Sequence, residues 1–127
     1  MTIASTIIIA KANHKECMMC RNNVRIAVEL GKCPQMAYLR QELARRGVEY
    51  RDESSIVNEP FDYKHVVLRT KWKHNGEEVS VIWGYFDRDG GRTWMTYGAP
   101  DRLECWYVSN DPDPIPMTAD EILEICA

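Results

Sequence analysis

A chain of 127 residues, 45% of them hydrophobic, is long enough for one domain to bury a core without staples. Its formal charge of −3 argues against a duplex nucleic-acid binder, which usually carries a clear basic excess. The longest apolar run, Ile7-Ile8-Ile9-Ala10, is too short to cross a bilayer, so no membrane partner is expected.

The segment from Thr2 to Ala10 is β-branched and apolar and reads as a buried strand. Asn13 with Glu16 has the capping pattern of a helix start. That helix is predicted to run to Leu30, with Gly31 in the left-handed stop position. Cys17, Cys20, Val24, Ala27 and Val28 would form its apolar face. Pro34 suits the first position of a second helix, which passes through Met36, Leu39 and Leu43 and ends at Gly47. Tyr50 to Val57 reads as a strand, broken at Glu59-Pro60.

Asn75-Gly76 is a two-residue hairpin signal flanked by alternating residues. It sets Trp72 opposite Val79, Thr70 opposite Val81, Leu68 opposite Trp83 and Val66 opposite Tyr85, all on one face. The opposite face pairs Lys73 with Glu78 and Lys71 with Ser80. A second hairpin turns at Asp89-Gly90, setting Asp87 opposite Arg92 and Tyr85 opposite Trp94. Its residues Asp89, Gly91, Thr93 and Trp94 resemble the Asp-box hairpin of sialidase propellers, with Asp87 where that pattern has Ser or Thr. The resemblance covers eight residues once, and it implies a braced hairpin with Trp94 packed beneath it.

Leu103 to Val108 makes a further strand after the Gly98-Ala99-Pro100-Asp101 turn. Asp111 to Pro116 is proline-rich and extended. Thr118 with Glu121 forms a second capping box and opens a short helix that ends near Cys126. The expected fold is α+β: a single domain over residues 1–127, in which two N-terminal helices and a short C-terminal helix pack on a mostly antiparallel meander sheet.

His14, Cys17, Cys20 and Cys33 are the residues that invite a metal reading, since zinc takes thiolate and imidazole ligands. The Cys-x-x-Cys pair falls inside an apolar helical pattern, however, and a second knuckle is missing. Buried thiols in a reducing cytoplasm are therefore expected, with no metal and no cofactor. The histidines His14, His65 and His74 are scattered, and neither a nucleophile elbow nor a phosphate-cradling Gly-rich Lys loop is present. Catalysis is not expected.

All four tryptophans lie between Trp72 and Trp106, interleaved with Arg88, Arg92 and Arg102. The hairpin register assigns Trp72, Trp83 and Tyr85 to the core. Phe86, Arg88, Arg92, Trp94, Tyr97 and Arg102 fall at turns or strand ends and form the candidate ligand-binding set. Guanidinium groups hold phosphates bidentately while aromatic faces stack on a base, so the expected ligand is small, anionic and nucleotide-like. Arg69 and Lys71 project from the opposite face and add charge to a second surface.

The two helices preceding an aromatic meander, with Trp83-Gly84-Tyr85-Phe86 and Arg102-Leu103-Glu104-Cys105-Trp106-Tyr107, resemble phage anti-Thoeris sponge proteins. That resemblance implies sequestration of a cyclic ADP-ribose signal by a homo-oligomer, without cleavage; it carries no binding residue across. Two other readings stand beside it. One is a protein-protein inhibitor or adaptor anchored by Arg102, Trp106 and Tyr107. The other is a small zinc module on the N-terminal cysteines. An isoleucine-rich N-terminal strand at a sheet edge would favour pairing with a second copy.

Overall fold

The structure, a computed structural model, describes residues 14–59, 63–96, 99–107 and 115–126, the side chains of 14–21 and 59 excepted. The helices are α1 (His14–Gly31), α2 (Pro34–Arg45) and α3 (Ala119–Ile125). The strands are β1 (Tyr50–Asp52), β2 (Ser55–Glu59), β3 (Tyr63–His74), β4 (Glu77–Arg88), β5 (Gly91–Trp94), β6 (Leu103–Tyr107) and β7 (Ile115–Met117). They form one antiparallel sheet in the order β1-β3-β4-β6-β7, with β2 also on β3 and β5 also on β4. This is the expected α+β architecture. The predicted strand at Thr2 to Ala10 and the Asn13 cap lie outside the described residues.

The long β3–β4 hairpin is the spine of the sheet, and its turn chemistry fixes its register. Asn75 and Gly76 both take positive φ, 51° and 80°, which matches the right-handed twist of the flanking strands. Trp72 therefore pairs with Val79, Leu68 with Trp83 and Val66 with Tyr85, as predicted. The second turn repeats the same backbone at Asp89 and Gly90, and it sets Asp87 opposite Arg92 and Tyr85 opposite Trp94.

Even positions of β3 and odd positions of β4 and β6 face the helices. Val66, Leu68, Trp72, Val79, Val81, Trp83, Tyr85, Leu103 and Cys105 are buried there against Met36, Leu39 and Leu43 of α2 and Ile122 and Leu123 of α3. Helix α2 starts on Pro34 and stops in a Schellman motif: Val48 N–H donates to Leu43, Gly47 N–H to Ala44, and Gly47 takes φ 74°. The Arg40 guanidinium, 8% exposed, is tied to the sheet by Thr70 Oγ1 at 2.7 Å, Asp52 Oδ1 at 3.0 Å and the Arg69 carbonyl at 3.1 Å. The Thr118–Glu121 capping box opens α3, and the Ala119 N–H donates to Gln35 Oε1 at 2.7 Å.

Three local expectations are corrected. Gly31 is the last residue of α1 and is not left-handed; the helix closes through Lys32 N–H to Glu29 and Cys33 N–H to Leu30 before Pro34 restarts it. The apolar face of α1 is also rotated. Val24 and Val28 are 63% and 57% exposed, whereas Ile26, Glu29 and Leu30 turn toward the sheet. Ile26, Leu30 and Cys33 share helical spacing too, and the larger side chains, together with the Glu29 contacts described below, decide between the stripes. Finally, Tyr50 to Val57 is two strands. Asp52 Oδ1 accepts from the Ser54 N–H, and this turn interrupts the ladder before Ser55.

Candidate functional site

Where α1 crosses β2 and the start of β3, a cleft of about 300 Å³ opens between helix and sheet. Val24, Val28 and Ile56 supply its apolar walls, and Arg25, Lys32 and Lys64 its cations. Asn58 and Glu29 complete the lining. Ile56 and Asn58 belong to this face because Ile56 pairs with Val66 and Asn58 with Lys64.

Glu29 organises the floor. Its carboxylate is almost fully buried yet accepts from Tyr85 Oη at 2.7 Å, Lys64 Nζ at 2.9 Å and Lys32 Nζ at 3.1 Å. Burial acts to raise its pKa, but the hydrogen bonds from Tyr85, Lys64 and Lys32 outweigh it and hold the carboxyl below its ordinary value. The same contacts raise Lys64, chiefly through its hydrogen bond to Glu29. Both groups are therefore charged at neutral pH.

The network continues through Tyr85 to β5. The Arg92 guanidinium lies 3.8 Å from the centre of the Tyr85 ring and 5.4 Å from that of Trp94. Asp87 accepts from Arg92 at 2.7 and 3.0 Å in a bidentate pair, which lowers the Asp87 pKa and raises that of Arg92. Arg25, Lys32, Lys64 and Arg92 thus outnumber Glu29 and Asp87 at this end of a net acidic chain.

The predicted ligand-binding set does not converge. Arg92 and Trp94 join Tyr85 on the helix-covered face, beside the cleft. Phe86 points to the other face, edge-on to Tyr63 at 4.8 Å and to His65 at 5.9 Å. Arg88 is exposed at the strand end, 3.9 Å from Asp89. Arg102 turns toward α3, 3.8 Å from Glu121. Tyr97 lies outside the described residues. The reason for the split is the pleat: odd and even residues of one strand leave on opposite faces, so neighbours in sequence cannot share a pocket wall. Trp94 packs on Trp83 and Tyr85, as the Asp-box likeness implied.

Arg25, Glu29, Lys32 and Lys64 were not anticipated. Only the register signal bore on them, since it places Lys64 opposite Asp87 on the face of Tyr85. Nothing in the helical pattern marks Glu29 as an inward residue.

A wider and more open depression of about 710 Å³ lies at the other end of the sheet, between Tyr50, Arg51, Lys71 and Lys73. Its cations are neutralised locally: Arg51 and Lys73 pair with Glu78, and Lys71 pairs with Glu53. The 300 Å³ cleft is the better-formed anion site because its three cations, Arg25, Lys32 and Lys64, share the single carboxylate of Glu29 and so keep an excess of positive charge. Among the described residues, no three His, Cys, Asp or Glu side chains cluster as metal ligands. Cys33 is buried, and burial pushes its thiol up to about 11. The side chains of His14, Cys17 and Cys20 lie outside the description.

Tyr107, expected as an exposed interface anchor, is buried because its odd position on β6 faces the core, opposite Val79. No helix of the described residues is long and apolar enough to cross a membrane. Comparison of the chain with protein-family models, curated proteins and solved structures returns no match.

Proposed function

We propose that the protein binds and sequesters a small anionic, nucleotide-derived ligand, of the cyclic ADP-ribose type, in the cleft between α1 and β2–β3. The observation that carries this reading is the pairing of exposed apolar walls, Val24 and Val28, with Arg25, Lys32 and Lys64 in one concave site. A planar base packs against aliphatic side chains, while the cations meet phosphates that water alone would otherwise solvate. Arg92, held by Asp87 over Tyr85, extends the positive field toward β5. Among the described residues, no serine, cysteine or histidine lines the cleft, which favours retention of the ligand over its cleavage. On this proposal the protein is a non-catalytic, phage-type counter-defence factor that acts in the cytoplasm as a homo-oligomer.

A thermal-shift panel of mononucleotides, cyclic dinucleotides, ADP-ribose and cyclic ADP-ribose tests the reading. A true ligand at a hundredfold excess over its Kd stabilises by roughly 3 kcal/mol. Arg25→Ala and Lys32→Ala should each remove most of that shift, and Arg88→Ala should leave it intact. Ligand released by heating should have its original mass. If no compound shifts the melt and a pull-down recovers a single host protein, the inhibitor reading replaces this one.

A further inference from the structure

All of the described helices pack on one face of the sheet, and no described element covers the other. That second face is not a plain solvated surface. Its middle carries Val67, Ile82, Phe86 and Trp106, each buried or half-buried, with Val57 exposed at the edge. Around them most charges are matched within the chain: Arg51 and Lys73 with Glu78, and Lys71 with Glu53.

Two charges break this pattern. Arg69 is half-buried, and its Nε is the buried side-chain nitrogen that finds no acceptor among the described residues. Glu104 forms no ion pair among the described residues, and desolvation raises its pKa. Both lie in one row across the sheet. Arg69 pairs with Ile82 on its neighbour, and Ile82 pairs with Glu104 on the next strand. The two charges therefore flank Ile82 on either side, roughly 10 Å apart at the backbone.

We propose that a second copy of this chain covers this face, related by a two-fold axis that lies between the two sheets and runs along β4 over Ile82. Rotation about that axis carries the β3 side of one sheet over the β6 side of the other. Arg69 of each copy then meets Glu104 of its partner, and Ile82 packs on its own equivalent. The next row brings Lys71 over the partner's Trp106, a cation–π placement. An axis across the strands would instead stack Arg69 on Arg69 and Glu104 on Glu104, so the charges select the orientation. Face-to-face sheets pack with strands within about 30° of each other, which keeps these pairs in reach. Glu78 falls opposite its own equivalent at the rim, where Arg51 and Lys73 already neutralise it. This surface is the interface of the oligomer proposed above, and it stands independently of the ligand, whose cleft lies on the helix-covered side.

Sedimentation of the full chain at micromolar concentration provides the test. The wild type should be a dimer. Arg69→Glu and Glu104→Arg should each weaken it by roughly a hundredfold or more, because each sets like charges opposite one another. An equimolar mixture of the two variants should recover a heterodimer, since both cross-interface pairs then join opposite charges while no pair is restored within a chain. A monomeric wild type, an assembly that neither swap weakens, or a mixture that fails to associate would each overturn the assignment. If a swapped chain fails to fold by circular dichroism, Ile82→Lys at the axis takes its place, and an unchanged dimer overturns the proposal.

Discussion

The hydroxyl of Tyr85 donates to the buried carboxylate of Glu29 at 2.7 Å, and so joins the core of β4 to the last turns of α1. Lys64 and Lys32 close the same carboxylate from the solvent side. A charge this well enclosed is costly to leave alone, and removing a partner of a buried pair is the damaging change.

Tyr85→Phe keeps the ring beneath Arg92 and deletes only the donor. It should cost about 2 kcal/mol, the loss of a hydrogen bond to a charged acceptor. Glu29→Ala should cost more, about 3 kcal/mol, because it leaves Lys64 near the sheet without its counter-ion. Urea unfolding followed by tryptophan fluorescence measures both. If Tyr85→Phe is neutral, the network does not anchor α1.

The depressed pKa of Glu29 makes stability depend on acid. A carboxyl whose folded pKa lies below its unfolded value contributes fully above about 4.5 and loses that contribution as pH falls through the folded value. Asp52, where burial is outweighed by hydrogen bonds from Ser54 and Arg40, acts in the same direction. The urea midpoint should thus fall steadily below pH 4.5. In Glu29→Gln the slope should be shallower, with the Asp52 share remaining; an unchanged slope would remove Glu29 from the account.

Gly84 sits on β4 where the backbone of β3 approaches. A Cβ there would overlap the Val66 carbonyl oxygen and stand 2.8 Å from Met95 Sδ. The thioether can swing aside, but the carbonyl belongs to the β3–β4 ladder and cannot. Gly84→Ala is expected to cost about 3 kcal/mol, the upper range for overpacking. Gly91→Ala, with a backbone atom only at ordinary contact distance of 3.6 Å, serves as the mild control in the same melt.

Burial pushes the Cys33 thiol up to about 11 and that of Cys105 to about 12, so neither is a thiolate at neutral pH. Alkylation at about pH 8, where exposed thiols begin to ionise, should label the half-buried Cys126 well before either of them. A raised thiol pKa also contributes stability that is complete below its unfolded value of 9.0 and is lost as pH rises toward the folded value. Cys33→Ala should consequently flatten the fall in melting temperature above pH 9.0, and equal labelling of Cys33, Cys105 and Cys126 in the native protein would contradict the burial.

Much of the fold was legible because its signals are local. Asn75-Gly76 and Asp89-Gly90 dictate turns of one handedness, and a two-residue turn leaves one register, so the cross-strand pairs from Trp72–Val79 to Tyr85–Trp94 follow. Pro34, Gly47 and the Thr118–Glu121 box bound α2 and α3 by the same kind of local chemistry. Helix α1 was harder. Two overlapping stripes satisfy its spacing, and the one that is buried includes a carboxylate.

The sequence by itself determined where the two hairpins turn, the registers of β3 on β4 and of β4 on β5, and that Trp72, Trp83 and Tyr85 belong to the core, since turn dihedrals and strand alternation act over a few residues. Only the tertiary structure decided that Glu29 faces inward and that Arg25, Lys32 and Lys64 share a cleft. Those outcomes depend on which helix face meets which sheet face. Burial of Ile26 and Leu30 settles it together with the pairing of Glu29 with Tyr85 and Lys64, residues 56 and 35 positions away. No short window of sequence contains both partners.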